Sequence, residues 1–281
     1  MTGPLLMMAA LGLFAVLDAN SKILSGAYPF AQVVVIRHLT MLLLLLGGRL
    51  LRPGLGGPLG TAHPVLHLLR AAGMLGSAAG FFLALREMPM AEAYLVYFTA
   101  PFMTMALAAL VLGEVPPRAA WLWCGVGFLG VAVAMAPGVQ AGGSLRAYGF
   151  VLMGTVSYAM VMTINRRLRN ESGVARLILW SALPGGLAML PLALLDWRPP
   201  SGIDWLAMAA NGVLAGAATI FLALAFRVAT AARLAPLEFS ALVWAVGLDV
   251  AIWGHWPSAT AMAGAAIVII ACIMSQRVTR D

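Results

Sequence analysis

Stretches such as 93–113 and 119–140 run for about the length of a bilayer-crossing helix without one charged residue. Runs of this kind recur from end to end, separated by joints where Pro, Gly and Arg collect. A chain that is 62% hydrophobic and 10% charged has too little polar surface to cover its apolar bulk. A soluble globular domain is thereby excluded. The strands of a membrane barrel alternate apolar and polar residues over short stretches, whereas these runs are apolar on every face. The pattern leaves an all-α integral membrane bundle.

Ten spans are expected, at 4–24, 30–50, 64–85, 91–112, 118–136, 145–168, 174–195, 203–226, 232–253 and 258–276. Breakers close them: Tyr28-Pro29, Arg86 through Pro89, Gly113-Glu114-Val115-Pro116-Pro117 and His255-Trp256-Pro257. The net charge of +7 would suggest nucleic acid in a soluble protein. Here the basic residues stand at span ends, so they report topology and no nucleic-acid partner is expected. A cytoplasmic N-terminus places most of the 17 Lys and Arg on the cytoplasmic side, and ten spans bring the C-terminus there too. The first span lacks a basic leader and runs into Asp18, Asn20 and Lys22, unlike a cleavable signal peptide. Cys124 and Cys272 lie inside apolar runs and read as buried small hydrophobes rather than a disulfide.

The two halves repeat. A shift of 141 residues lays Phe81 through Arg86 on Leu222 through Arg227, and Phe98 on Phe239. The same shift lays Gly113-Glu114-Val115-Pro116 on Gly254-His255-Trp256-Pro257. Repeats at 1–140 and 141–281 would each hold five spans. An odd number sends the second half into the membrane from the opposite side, giving inverted repeats. That architecture serves alternating access around a midplane site.

The carrying residues of a resemblance are Arg37, Glu92-Ala93-Tyr94 leading to Pro101, Gly113-Glu114-Val115-Pro116, and the glycines Gly125, Gly127 and Gly130. With these the whole chain resembles the ten-helix drug/metabolite transporter superfamily, in its EamA-type branch of paired five-helix repeats. The resemblance implies a secondary transporter, and within the superfamily it runs toward bacterial exporters of amino acids, aromatic ones above all. The second half departs from the pattern. Leu242 stands at the place of Pro101 and His255 at that of Glu114, so no kink is expected there.

Ionisable and aromatic residues inside the spans are the site candidates, since each needs a partner or water. Asp18 is read either as a cavity carboxylate or as an ion pair with Lys22. Asn20, His38 and Glu238 are further groups for meeting a zwitterion. Glu238 is the repeat mate of Tyr97, with Arg227 and Arg233 as alternative partners. Tyr94, Tyr97, Phe98 and Pro101 share one helical face. Tyr97 and Phe98 suit stacking on a planar ligand, and Tyr94 also suits an interfacial belt. Ser77, Phe81, Tyr158 and Trp244 complete the expected pocket. Arg37, Pro101, Glu114 and Asp249 are expected to gate or to hold structure. Gly73, Gly76, Ser77 and Gly80 form a small face that lets helices approach closely.

His63 and His67 have metal-ligand spacing but no evident third ligand, and no carboxylate that would make them catalytic. No nucleotide loop or nucleophile elbow is present, so neither cofactor nor ATP is expected and a gradient must supply the energy. The reading is a monomeric carrier of the bacterial inner membrane, not an enzyme. It would export small amphipathic solutes, aromatic or neutral amino acids first. Alternatives are drug, purine or nucleotide-sugar cargo on the same fold, or an intramembrane lipid-modifying enzyme.

Overall fold

A computed structural model describes residues 2–113, 115–140, 144–168, 171, 173–228 and 235–278, with the backbone alone at 137–140, 226, 227, 235, 236 and 276. Among the described residues every regular element is helical. Helices α1 (Gly3–Ser25), α2 (Phe30–Leu51) and α3 (Pro64–Ala84) lead to a broken span, α4 (Met90–Tyr97) followed by α5 (Ala100–Leu112). Then come α6 (Arg118–Gln140), α7 (Leu145–Arg167), α8 (Val174–Leu195) and α9 (Gly202–Val228). A 3₁₀ turn (Ala235–Phe239), α10 (Ser240–Leu248) and a wide π turn (Asp249–Trp253) precede α11 (Ala259–Val278).

Eight spans are long and apolar enough to cross a membrane, with a shorter apolar helix at Ala259–Ser275. Their outer faces carry Leu50, Leu110 and Leu122, each more than 70% exposed. Such faces suit lipid and would be liabilities in water. Every backbone polar group in hydrocarbon must be satisfied internally, which is why the chain crosses as helices.

The helices form two compact units, and neither is a continuous half of the sequence. Unit one comprises Met1–Leu75 and Ile164–Ala241; unit two comprises Gly76–Thr163 and Leu242–Asp281. The division falls inside α3, α7 and the start of α10.

In unit one α1 packs along α9, and α2 along both α8 and α9. Leu17, Met41, Leu45, Ile178, Ala182 and Ala215 form one core, and Leu6, Met7 and Ala225 another. The joints alternate between two ends. At one, Tyr28 donates to Asp204 Oδ2 (2.6 Å), and Gln32 exchanges bonds with the Arg198 backbone (2.7 and 3.0 Å). At the other, the Ala175 N–H donates to the Gly56 carbonyl (3.0 Å), and Trp180 Nε1 to that of Leu59 (3.0 Å).

In unit two α6 packs along α11, and the approach depends on missing side chains. A Cβ at Gly264 would come 2.5 Å from the Gly130 carbonyl oxygen, and one at Gly127 would lie 2.2 Å from the Phe102 ring. Helices α3 and α7 meet through the small face the sequence marks. A Cβ on Gly80 would stand 2.4 Å from the Phe150 carbonyl oxygen and 2.7 Å from Gly154 backbone. Gly113 (φ +70°) and Gly254 (φ +67°), 141 positions apart, each end a helix in the left-handed conformation that glycine tolerates.

The fourth span breaks into two helices beside Pro101, which has no N–H to give the Tyr97 carbonyl and whose ring crowds the preceding turn. One sequence expectation needs correction. The ninth span is irregular without a proline at Leu242, changing from 3₁₀ to α to π along its length.

Gly80→Ala should destabilise the protein by about 1–3 kcal/mol, since the clash is with backbone and cannot be relieved by a rotamer. Gly125→Ala, with nothing within 4 Å of the added carbon, should leave stability unchanged. Thermal unfolding in detergent distinguishes them; equal melting temperatures would refute the close approach.

Candidate functional site

The membrane-embedded candidates fall into two groups, one per unit. In unit two the aromatic residues come together. The Phe81 ring on α3 meets Tyr97 edge-on at 5.1 Å between centroids, and Tyr94 edge-on at 5.8 Å. Tyr97 in turn lies 4.9 Å from Tyr158 of α7, and Tyr94 and Tyr97 are 6.3 Å apart. These are the offsets that aromatic quadrupoles favour. Phe81, Tyr94 and Phe98 are buried, whereas Tyr97 and Tyr158 keep partial exposure. Tyr94 is therefore a packed member of this cluster and not part of an interfacial belt.

The cluster stands beside the Pro101 break. With Pro101 unable to donate, the turn tightens. The Thr99 hydroxyl donates to the Val96 carbonyl (2.7 Å), and Phe102 N–H to that of Thr99 (3.0 Å). The Phe98 carbonyl then accepts from the Cys272 thiol of α11 at 3.7 Å. Cys272 is buried, as its apolar setting suggests, but it also supplies a donor where the helix lost one.

The start of α4 is held as closely. Asp249 Oδ2 accepts the Ala91 N–H at 2.8 Å, and Asp249 is 1% exposed. The Tyr148 hydroxyl donates to Glu92 (3.1 Å), and Ser144 donates to Glu87. Of the remaining candidates in this unit, Ser77 is half-buried and Trp244 is exposed.

Unit one holds Asp18, Asn20, Arg37, His38 and Glu238. The Asn20 amide donates to the Ala207 carbonyl (2.7 Å) and to Asn211 Oδ1 (2.8 Å), and the Asn211 amide donates to Ser21 (3.1 Å). Asn211 is fully buried. The amide of Asn20 thus ties α1 to α9. Asp18 on α1 is attracted to Arg37 on α2. His38 is buried against Gly185 and Gly186 of α8. Arg37 Nε and His38 Nδ1 have no hydrogen-bond partner among the described residues. Glu238 is half-buried on the 3₁₀ turn. Glu114, Arg233 and the Arg227 side chain lie outside the described residues.

Sequence reasoning missed Glu171. Its carboxylate accepts from Thr61 Oγ1 (2.5 Å), the Ala62 N–H (2.9 Å), His63 Nδ1 (2.7 Å) and His67 Nε2 (3.1 Å), with Arg176 at 3.5 Å. The two histidines thus have the carboxylate that the sequence reading denied them. It lies more than a hundred residues away, which is why spacing could not reveal it. The arrangement clasps two joints together, and His67 is fully buried with its ring packed on Trp180. Among the described residues no three His, Cys, Asp or Glu side chains are placed to hold a metal. Arg70, also buried, donates to the Leu177 carbonyl (2.9 Å) and to Ser181 (2.7 Å).

A bundle of membrane-length helices, with breaks at corresponding places in two halves and its embedded polar groups held in networks, defines a multi-pass membrane transporter. The chain belongs to the EamA-like transporter family, whose model matches residues 1–136 and again 145–276. It is 27% identical to a pseudopaline exporter of Pseudomonas aeruginosa, over 98% of this chain and 96% of that one. It is also 27% identical to an S-adenosylmethionine uptake transporter of Rickettsia felis, over 76% of this chain and 72% of that one. A riboflavin transporter of Rhizobium johnstonii is 26% identical over 77% and 72%. A solved crystal structure shares the fold at a TM-score of 0.67 and 21% identity, over 99% of this chain and 97% of its own. None of these three relatives is named for an aromatic amino acid, so the family is shown and the narrower likeness is not.

Hydrogen bonds from Thr61 and then His63 hold the Glu171 carboxyl well below the usual carboxylate range. A depressed value in the folded state stabilises fully at pH above the ordinary carboxylate value of about 4, and that contribution is lost progressively as pH falls from there toward the folded value. Glu171→Gln should therefore lower the melting temperature at pH 7, with the gap to wild type closing between about pH 5 and pH 2. A gap independent of pH would show that the charge contributes nothing.

Proposed function

We propose that this chain is a secondary-active transporter of the bacterial inner membrane that moves small amphipathic solutes bearing a flat ring, aromatic amino acids first, outward by alternating access. The observation that carries the reading is the aromatic cluster of Phe81, Tyr94, Tyr97 and Tyr158 beside the Pro101 break. Its half-exposed rings, Tyr97 and Tyr158, offer faces for a planar ligand. Break and cluster together are what a midplane substrate site requires.

The ten-span, two-repeat arrangement with both termini cytoplasmic belongs to the same proposal. It draws support from the successive family matches and from the paired left-handed glycines Gly113 and Gly254. It also draws support from the way the joints of unit one alternate between two ends. Substrate downhill flow or proton exchange would drive transport, with Asp18 and Glu238 as the titratable groups.

A second reading follows from the relatives: uptake of an adenine-bearing sulfonium, or transport of a flavin. Both cargoes carry a flat ring that the same cluster would meet, so the two readings differ in headgroup and direction.

Purified protein in liposomes should show saturable flux of radiolabelled phenylalanine. Tyr97→Ala should cut that flux about fivefold while threonine flux changes less than twofold. Equal loss for both solutes would point to folding and not recognition. If phenylalanine, S-adenosylmethionine and riboflavin all fail to cross, the cargo class is wrong.

A further inference from the structure

Helix α4 is a fragment. It spans the eight residues Met90–Tyr97, and the Pro101 break separates it from the longer α5. A helix that short does not hold itself in place, because too few hydrogen bonds offset the cost of ordering it. Its position must come from outside. Two groups from a distant part of the chain hold its ends: the Cys272 thiol at the Phe98 carbonyl and the Asp249 carboxylate at the Ala91 N–H. Of these the thiol bond is weak. The carboxylate bond is charge-assisted, short and closed off from water.

Asp249 also has a local device that aims it. It is the first residue of a π turn, and such turns rotate a side chain off the regular helical register. The turn is ended by Gly254, whose N–H donates to the Val250 carbonyl, and the His255 N–H donates to the Asp249 carbonyl. The preceding Leu248 is regular helix. The irregularity therefore begins at the residue whose carboxylate reaches α4.

From the N–H at Ala91 the helix runs one turn to Tyr94 and another to Tyr97, the two α4 members of the aromatic cluster. We infer that Asp249 is a positioning residue for solute selectivity: its carboxylate sets the register of α4, and through α4 the pose of Tyr97. The consequence for cargo rests on the proposed transport function; the effect on Tyr97 does not.

The experiment separates the two. The chain has five tyrosines, Tyr28, Tyr94, Tyr97, Tyr148 and Tyr158, and incorporation of 3-fluorotyrosine gives each a ¹⁹F resonance. In Asp249→Ala the Tyr94 and Tyr97 signals should shift or broaden, while Tyr28, which belongs to the other compact unit, should not. Asp249→Asn keeps an acceptor oxygen for Ala91 and should retain the wild-type pattern. In liposomes the KM for phenylalanine should rise about fivefold in Asp249→Ala and stay within twofold in Asp249→Asn, with threonine flux little changed in either.

Signals of Tyr94 and Tyr97 that stay in place in Asp249→Ala would overturn the inference. So would a general shift that includes Tyr28, or an Asp249→Asn variant as impaired as Asp249→Ala, since that would make charge and not position the requirement. Moved tyrosine signals in a protein that carries no phenylalanine would uphold the positioning role and refute the cargo.

Discussion

No backbone N–H or carbonyl inside hydrocarbon can turn to water, and the architecture follows from that requirement. Regular helix satisfies it along most of the chain. Where the helix is interrupted, a substitute donor or acceptor must be brought from elsewhere. Pro101 makes the sharpest interruption, and two groups beside it are answered: the Thr99 hydroxyl donates to the Val96 carbonyl and the Cys272 thiol to the Phe98 carbonyl, while the Asp249 carboxylate accepts the Ala91 N–H at the start of α4. These bonds tie α4 to the π turn at Asp249–Trp253 and to α11. A break that would otherwise only weaken the bundle thereby becomes a fixed piece of backbone carrying two tyrosines.

The same requirement governs the polar side chains. Unit one embeds Asn20, Asn211, Arg70 and Ser181, and each is held by others of the group or by backbone carbonyls. An unmatched amide at that depth would cost several kcal/mol, by the scale of about 2–7 kcal/mol for burying one without a partner. These bonds therefore act as fasteners between α1 and α9 and between α3 and α8. Among the described residues Arg37 and His38 on α2, and His67 and Arg70 on α3, each also keep one buried nitrogen without a hydrogen-bond partner.

Hydropathy and breakers were enough to place the spans to within a few residues, since a bilayer demands length and apolarity of every crossing segment. Val174–Leu195 falls where the sequence puts it, and Phe30–Leu51 differs by one residue. The aromatic face of Tyr94 and Tyr97 was legible because helical spacing fixes which residues share a side. The partners of long reach were not. Nothing in the local sequence around Glu171 joins it to His63 and His67, and nothing around Asp249 joins it to Ala91, because those pairings exist only after helices distant in sequence have packed. The partner of Asn20 was hidden for a related reason: Asn211 is brought beside it only when α9 packs on α1.

The compact units explain why a duplicated sequence need not make two independent bodies. Unit one takes α1 and α2 from the first half and α8 and α9 from the second. Unit two likewise combines α4, α5 and α6 with α10 and α11. The main cores of unit one are shared across the halves: Leu17 and Met41 pack with Ile178 and Ala215, and Leu6 with Ala225. In unit two Gly130 of the first half is matched by Gly264 of the second, close enough that neither could carry a Cβ unshifted. Glycine at one helix is thus useful only if the other half provides a helix to fill the space. Each half left alone would expose polar groups, such as Asn20 and Asn211, whose partners lie in the other. The repeat is a unit of sequence, while burial and hydrogen bonding are completed only between repeats.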